Sequence, residues 1–196
     1  IAHTFGINKD RIIVARPVSR DNSIRLTTNR PSHCHTFFYP SLSRPFKNFE
    51  IICQAVEILN EEGIKDFKVV LTIDGTESKY SKWVFNKYRN IPHIEFVGLL
   101  SKTQMDEQYN RTDCLIFPSR LETWGLPISE YGHYNRPMIL ADKPYAREAA
   151  MGCSTVAFFD VNDPSRLALL IKQAIEGNYA EFSLVPDIDI SDPKAN

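Results

Sequence analysis

The sequence predicts an α/β fold, specifically a Rossmann-like, doubly wound parallel sheet with helices on both faces. Short apolar runs rich in β-branched and aromatic residues alternate along the chain with segments whose apolar residues recur at helical spacing. The apolar runs are nearly continuous, which is typical of strands buried on both faces. Strands that alternate with helices of this length favour parallel pairing and therefore the doubly wound architecture.

Apolar runs that should form the strands of this sheet cover residues 36–42, 67–73, 93–100, 113–118, 137–141 and 154–160. One helix should follow the fourth strand. The other helical patterns occupy residues 47–62, 77–88, 101–109, 145–151 and 163–175. In the first of these helices the apolar side chains repeat at helical spacing and should face the sheet. They are Ile52, Ala55, Val56 and Leu59.

Local capping signals mark several helix ends. Ser101 and Gln104 have the spacing of a capping box, in which each side chain accepts a hydrogen bond from the other residue's backbone amide. Asp163 should open the last helix, which should end near Gly177, because glycine readily adopts the left-handed conformation that closes many helices. Gly152 should end the short helix before it in the same way.

The two ends of the chain differ from this central domain, which we place at residues 36–178. Residues 1–35 contain one strand-like run, 11–17, followed by a polar, arginine-rich stretch, and we expect them to form an inter-domain segment. Residues 179–196 are acidic and contain proline, so we expect a frayed tail.

Composition and charge exclude several classes of protein. The net charge of −1 lacks the basic excess of nucleic-acid-binding proteins, and no run approaches the roughly 20 apolar residues that span a bilayer. The chain starts at Ile1 without a signal-peptide pattern, which indicates a fragment of a longer protein. Four scattered cysteines without a C-x-x-C pair favour reduced thiols and a cytosolic setting, with peripheral association at a membrane left open.

The most informative motif is P-S-R-L-E-T-W-G-L-P-I-S-E, which begins where the fourth apolar run ends. Glu122 and Glu130 lie eight positions apart within it, and Pro127 between them is well placed as the first residue of a helix. Amide groups at such a helix start attract phosphates. The segment therefore combines an expected phosphate seat with two carboxylates.

This motif, with residues 37–178 around it, resembles the donor-binding domain of family-4 retaining glycosyltransferases, which have the two-domain GT-B fold. The resemblance implies that the chain binds a nucleoside diphosphate sugar and contributes to transfer of the sugar, with retention, to an acceptor hydroxyl. In that family the acceptor binds an N-terminal domain, which also supplies a catalytic side chain. No such domain fits before residue 36, so we expect this chain alone to be inactive.

The resemblance assigns phosphate contacts to the loop at residues 41–48. In the family an arginine and a lysine in this loop neutralise the donor's phosphates, separated by five positions and with a glycine before the arginine. Lys47 matches the lysine well. Arg44 is a shifted match, at a spacing of three and without the glycine, so Ser41 is the alternative occupant of the arginine's place.

By the same resemblance Glu130 should accept hydrogen bonds from both ribose hydroxyls, since a carboxylate offers two adjacent acceptors. Glu122 should face the transferred sugar, and with Lys47 and Arg44 it is expected to carry the chemistry. Residues expected to line the phosphates and the sugar are Thr123, Trp124, Gly125 and Leu126.

The resemblance also implies that backbone groups of the loop after the third strand hold the nucleobase. Val97, Gly98 and Leu100 are the candidates, because reading a base through the backbone requires a small residue and an apolar wall. Gly75 would let the loop after the second strand approach the ligand closely. Tyr109 is expected to pack in the interior, with stacking on the ligand as the alternative.

No metal or other cofactor is expected, because cationic side chains and amides can neutralise a diphosphate leaving group. His33, Cys34 and His35 make a poor chelate, since consecutive residues of an extended chain point to opposite sides. The chain also lacks the glycine-rich dinucleotide, Walker and nucleophile-elbow motifs.

Two alternative functions stay open. The unusual spacing in the loop at residues 41–48 is compatible with a non-catalytic nucleotide-sugar-binding module, and the same fold serves GT-B epimerases and phosphorylases. The sequence identifies neither the nucleobase nor the sugar, acceptor, linkage or oligomeric state, because sugar choice depends on contacts the size of a hydroxyl group.

Overall fold

The computed structural model describes residues 2–8, 11 and 31–186 of the chain. Within them the predicted alternation of strands and helices is confirmed. The strands are β1 (Thr36–Tyr39), β2 (Lys68–Leu71), β3 (Ile94–Phe96), β4 (Cys114–Phe117), β5 (Met138–Ala141) and β6 (Val156–Phe159). The helices are α1 (Ala2–Phe5), α2 (Phe49–Glu61), α3 (Lys79–Tyr88), α4 (Lys102–Arg111), α5 (Leu126–Gly132), α6 (Pro144–Ala149) and α7 (Pro164–Ile175).

Six strands of the described residues form one sheet in the order β3-β2-β1-β4-β5-β6. Every neighbouring pair runs parallel. The doubly wound, Rossmann-like prediction is therefore confirmed. The strand order reverses between β1 and β4, and in open sheets of this kind ligands bind beyond the carboxyl ends of the strands at such a switch point.

The core consists of the central strands and the helix faces that cover them. β4 and β5 are buried at every position, as predicted from their continuous apolar runs. Of the predicted helix residues, Ile52, Ala55, Val56 and Leu59 are all buried in α2. α2 packs against α7, which buries Leu170 and Ile171, so the two helices share one face of the sheet.

The predicted caps are present. Ser101 and Gln104 form the capping box of α4, with the Ser101 amide donating to Gln104 Oε1 at 2.8 Å. Asp163 caps α7, accepting from the Arg166 amide at 2.8 Å. Gly177, predicted to close that helix, has a φ of 71°.

Several boundaries differ from the prediction for backbone reasons. The helix expected to start at Lys47 starts at Phe49, because Pro45–Lys47 forms a 3-10 turn and Asn48 is left-handed with φ 61°. Residues 93–100, predicted as the third strand and its exit, contain a strand that ends at Phe96, after which Gly98 turns the chain with φ 69°.

The structure describes the two ends of the chain only in part. Apart from Arg11, the strand-like run at 11–17 and the arginine-rich stretch lie outside the described residues. Residues 181–185 are not frayed: Ser183 pairs with Val156 of β6, and the Val185 amide donates to the Cys153 carbonyl at 3.0 Å. The sheet edge offers unpaired backbone groups, and this segment satisfies some of them.

All four cysteines are free in the structure. Three of them, Cys34, Cys53 and Cys114, are buried, and burial raises the pKa of the Cys114 thiol. Within the described residues, no helix has the length and apolar content to cross a bilayer.

Candidate functional site

A cavity of about 520 Å³ opens at the carboxyl ends of the strands, at the switch point between β1 and β4. The loop after β1 supplies one wall and the loop after β4 supplies the facing wall. The loop after β3 and the first part of α4 close a third side. The lining is mostly apolar, with a few convergent polar groups, which is the usual composition of a small-molecule site.

The two charged residues among the described lining, Lys47 and Glu122, form an ion pair inside this cavity. Lys47 Nζ donates to Glu122 Oε1 at 2.5 Å, and the side chains are only 15% and 12% exposed. They come from opposite walls and are 75 positions apart in sequence. Sequence reasoning placed both at the site but did not predict that they pair.

One backbone hydrogen bond joins the two walls close to this pair, and one side-chain hydrogen bond ties Lys47 to the end of β1. The Arg120 amide donates to the Phe46 carbonyl at 2.8 Å. The buried Tyr39 hydroxyl donates to the Lys47 carbonyl at 2.7 Å. These contacts fix the backbone on both sides of the cavity, so the ion pair sits on a supported frame.

Tyr145 of α6 supports the second wall from behind. Its hydroxyl donates to the Ser119 carbonyl at 2.7 Å, and its ring lies 3.3 Å from where a Cβ on Gly125 would stand. Gly125 has a φ of 87°, which L side chains rarely adopt, so the backbone favours glycine there, and a Cβ would also be close to the tyrosine ring. Burial, and then the charge of Glu122, raises the pKa of Tyr145.

Most residues predicted for the phosphates and sugar line the cavity. They are Ser41, Lys47, Glu122, Thr123, Trp124, Gly125 and Leu126. Trp124 is oriented by its indole, which donates to Ser129 Oγ at 3.0 Å. The structure thus brings the first half of the motif and part of the loop after β1 together.

Arg44 is not among the lining residues. It is exposed and precedes the 3-10 turn, where its carbonyl accepts from the Lys47 amide at 2.9 Å. Ser41 lines the cavity instead, with its amide donating to Thr72 Oγ1 at 2.8 Å. The short spacing between Arg44 and Lys47 explains the difference, since the turn that aims Lys47 inward leaves Arg44 outside.

Of the residues predicted to contact the nucleobase, Leu100 lines the cavity and Val97 and Gly98 do not. Gly75, predicted to bring the loop after β2 close to the ligand, does not line it either. Val97 is 41% exposed. A Cβ on Gly98 would stand 2.8 Å from Asp74 Oδ2, and one on Gly75 would stand 2.9 Å from Phe85 Cβ. Both glycines have positive φ and allow close packing within the protein, not against the cavity.

Glu130 lies on the exposed side of α5 and is not among the lining residues. Its Oε2 accepts from the hydroxyl of Tyr109 at 3.0 Å. Tyr109 is buried against Phe38 and Tyr131, so the prediction that it packs is confirmed. Burial, and then the charge of Glu130, raises the pKa of Tyr109.

The expected phosphate seat at the start of α5 is weaker than predicted. The helix has seven residues and starts at Leu126, with Pro127 second. Pro127 has no amide hydrogen, and the Ile128 amide already donates to the Gly125 carbonyl at 2.9 Å. Two of the first three residues of the helix therefore have no free backbone N–H group to donate to a phosphate.

Sequence reasoning missed several lining residues, namely Pro40, Leu42, Thr72, Leu99, Met105, Phe117 and Pro127. Thr72 cross-links the ends of β1 and β2, because its hydroxyl donates to the Ser41 carbonyl at 2.9 Å. A polar residue directly after a buried parallel strand is the signal that would have found it. Met105 and Leu99 carry no comparable signal in the sequence.

The described residues contain no cluster of three or more potential metal ligands. His33 and His35 point to different carbonyls, those of Ile175 at 3.0 Å and Asp66 at 3.1 Å, while Cys34 is buried between them. The three side chains therefore do not converge.

Residues 22–183 match the family described as "Glycosyl transferases group 1". The chain therefore belongs to this family of glycosyltransferases. No curated protein matches the chain in sequence.

Solved structures support the fold. The chain is similar to a glycosyltransferase from Rickettsia africae ESF-5, with 18% identity and a TM-score of 0.62 over 77% of this chain and 41% of that one. It is also similar to TarM, at 18% identity and a TM-score of 0.59 over 79% of this chain and 32% of that one. Anabaena Alr3699/HepE in complex with UDP-glucose aligns at 17% identity and a TM-score of 0.59, over 76% of this chain and 43% of that one.

At these identities the similarity concerns the fold alone, a Rossmann-like domain of the GT-B type. The chain spans between 32% and 43% of the length of these proteins.

Proposed function

We propose that the chain is the donor-binding domain of a retaining GT-B glycosyltransferase of family 4. In this proposal it binds a nucleoside diphosphate sugar, and the complete protein transfers the sugar to an acceptor hydroxyl with retention. The observation that carries the proposal is the Lys47–Glu122 pair, which faces into one cavity at the switch point. A cation for a diphosphate and a carboxylate for sugar hydroxyls are the two groups that such a ligand needs side by side.

The proposed roles follow from chemistry and position. Lys47 would neutralise the charge that grows on the departing diphosphate, and electrostatic stabilisation of this kind is usually the largest contribution to catalysis. Glu122 would accept hydrogen bonds from the sugar. Ser41, Thr72 and Thr123 offer hydroxyls around the pair. In one of the similar structures the bound ligand is UDP-glucose, which supports a donor of this class.

The nucleobase would occupy the apolar side of the cavity. Leu99, Leu100 and Met105 supply that side, and Leu99 is 71% exposed in the free chain, so a stacked base would cover it. Burial of apolar surface of this kind stabilises the complex by about 25 cal/mol per Å². The phosphates would thus contact a cation, the sugar would contact polar groups, and the base would contact apolar side chains.

A thermal-shift panel of UDP-, GDP- and ADP-sugars on the 196-residue chain tests the proposal. Any ligand that binds the folded state alone raises the melting temperature by mass action. We expect calorimetry to show binding of one nucleotide both with and without EDTA, because Lys47 would neutralise charge on the diphosphate without a metal. Binding that disappears in EDTA would contradict the metal-free part of the proposal, and no stabilisation by any donor would contradict the proposal as a whole.

One observation favours a second candidate, a non-catalytic nucleotide-sugar-binding module. Among the described lining residues Lys47 is the only cation, and its charge is already matched by Glu122. A transferase stabilises a diphosphate leaving group better with two cations, and Arg44 is exposed beside the cavity. Turnover of labelled donor by the complete protein, compared with its Arg44→Ala variant, separates the two candidates.

A further inference from the structure

The residue after Lys47 has an unusual conformation and burial. Asn48 is fully buried and left-handed, with φ 61° and ψ 42°, at the junction between the 3-10 turn and α2. Such a backbone costs little for glycine and for asparagine, whose short polar side chain tolerates it, and more for most other residues.

The side chain of Asn48 connects three loops at the carboxyl edge of the sheet. Its Nδ2 donates to the Pro118 carbonyl at 3.3 Å and to the Val161 carbonyl at 2.9 Å. Pro118 follows β4 and Val161 follows β6, while Asn48 itself belongs to the loop after β1. One amide group therefore links the loop that carries Lys47 to the loop that carries Glu122.

Stability alone gives a poor account of this residue. Asn48 Oδ1 is buried and has no hydrogen-bond partner among the described residues, and an unsatisfied buried acceptor destabilises the fold. Reversing the amide would turn Oδ1 toward two carbonyl oxygens, so the contacts themselves determine its orientation. Glycine would fit the backbone without the unsatisfied oxygen, but it would lack both hydrogen bonds.

We infer that Asn48 is a positioning residue for Lys47. It holds the peptide next to Lys47 against the end of β4, so that Lys47 Nζ meets Glu122 and, on the proposed function, the diphosphate of the ligand. Aspartate would tolerate the same backbone but would present a carboxylate to two carbonyls. Among the residues suited to this conformation, asparagine therefore combines the left-handed backbone with two amide donors.

The test substitutes Asn48→Gly in the 196-residue chain, with Asn135→Gly as the matched control. Asn135 is also left-handed, with φ 50°, and its side chain accepts from Ser154 Oγ at 2.7 Å, but it does not line the cavity. The probes are UDP with uridine, GDP with guanosine and ADP with adenosine, and the pair that binds the wild-type chain is used.

Asn48→Gly should weaken binding of the diphosphate roughly tenfold and binding of the nucleoside by less than about twofold, because a misplaced cation affects the phosphates alone. Asn135→Gly should change neither. In a Lys47→Ala background Asn48→Gly should have almost no further effect on the diphosphate, since a positioning residue acts through the group it positions.

The inference alone would be overturned by equal weakening of both probes, by a full effect that persists in the Lys47→Ala background, or by loss of cooperative urea unfolding in Asn48→Gly. Each would make Asn48 a general structural residue. Full diphosphate affinity in Asn48→Gly, with weakening by Lys47→Ala, would also overturn it while leaving the proposed function intact. Failure of the wild-type chain to bind any of the nucleotides would overturn the proposed function and this inference with it.

Discussion

At the scale of single residues, the central feature is that the cavity's lysine and glutamate neutralise each other in the free chain. Lys47 and Glu122 are both largely buried, and removing charges from water is costly unless they are paired. A diphosphate must therefore compete with Glu122 for Lys47. This competition determines the direction of the first two predictions.

Lys47→Ala should weaken binding of a nucleoside diphosphate more than binding of the nucleoside. A charge-assisted contact with phosphate contributes roughly 1.5–3 kcal/mol, and the lower half of that range is expected because Lys47 leaves Glu122 when the ligand binds. Calorimetry with both ligands measures the difference. Lys172→Ala, which removes a lysine paired with Glu62 outside the cavity, is the control and should leave both affinities unchanged.

Glu122→Gln should strengthen binding of the sugar-free diphosphate by roughly two- to tenfold, because Lys47 loses its counter-charge and the phosphates restore one. The same change should lower the free energy of unfolding of the free chain by roughly 1–3 kcal/mol. Urea unfolding and calorimetry measure the two opposite effects. Glu62→Gln serves as the control, and weaker diphosphate binding by Glu122→Gln would show that the ion pair does not oppose the ligand.

Glu130→Gln tests the predicted ribose contact, which stays a prediction because Glu130 lies outside the lining of the free chain. The carboxylate is held by Tyr109 through one oxygen, which leaves the other for a ligand. The substitution should weaken binding of a ribonucleotide by about 1–3 kcal/mol and should hardly change binding of its 2′,3′-dideoxy analogue. Equal weakening of both in a folded chain would remove Glu130 from the site.

At the scale of elements, the site depends on loops held by rigid strands and helices. The ion pair stands on the loops after β1 and β4, and those strands are adjacent in the sheet. α2 begins directly after the first loop and packs against α7, so α7 supports the site without contacting it. Stability of the α2–α7 layer is therefore a condition for the geometry of the cavity.

Two adjacent leucines of α7 allow a matched test of this layer. Leu170 is fully buried and Leu169 is 43% exposed on the same helix. Leu170→Ala should lower the free energy of unfolding by roughly 2–5 kcal/mol, because it leaves a cavity in the core, and Leu169→Ala by less than about 1 kcal/mol. Urea denaturation gives both values, and similar losses would mean that α7 is not packed as described.

At the scale of the whole molecule, the chain covers less than half of the glycosyltransferase structures it resembles. The proposed site opens at the carboxyl edge of the sheet. On the proposed function, an N-terminal domain would bind the acceptor and supply a further catalytic side chain.

We therefore expect the 196-residue chain to bind a donor without transferring or hydrolysing its sugar. Chromatography of a labelled donor after incubation with the chain, with the complete protein and an acceptor as the positive control, measures this directly. Release of the sugar by the chain alone, at a rate above that of a Lys47→Ala variant, would show that the domain is catalytically sufficient.

The amino-acid sequence by itself determined the fold class, the element order and the caps at Ser101 and Asp163. The family resemblance assigned Lys47 and Glu122 to the site, and both line the cavity. The fold class, the element order and the caps follow from local periodicity and from short-range hydrogen-bonding patterns. They need no knowledge of which distant segments touch. Periodicity also predicted the buried face of α2 correctly, because a helix with an apolar stripe has to cover it.

Tertiary structure alone decided which groups meet. The Lys47–Glu122 pair, the exclusion of Arg44 and the link from Asn48 to Pro118 and Val161 join segments far apart in sequence, and they arise from sheet order. Left-handed turns at Asn48 and Gly98 also moved element boundaries, because a single backbone angle outweighs the pattern around it. Long-range contacts and individual φ angles are the properties that periodicity does not encode.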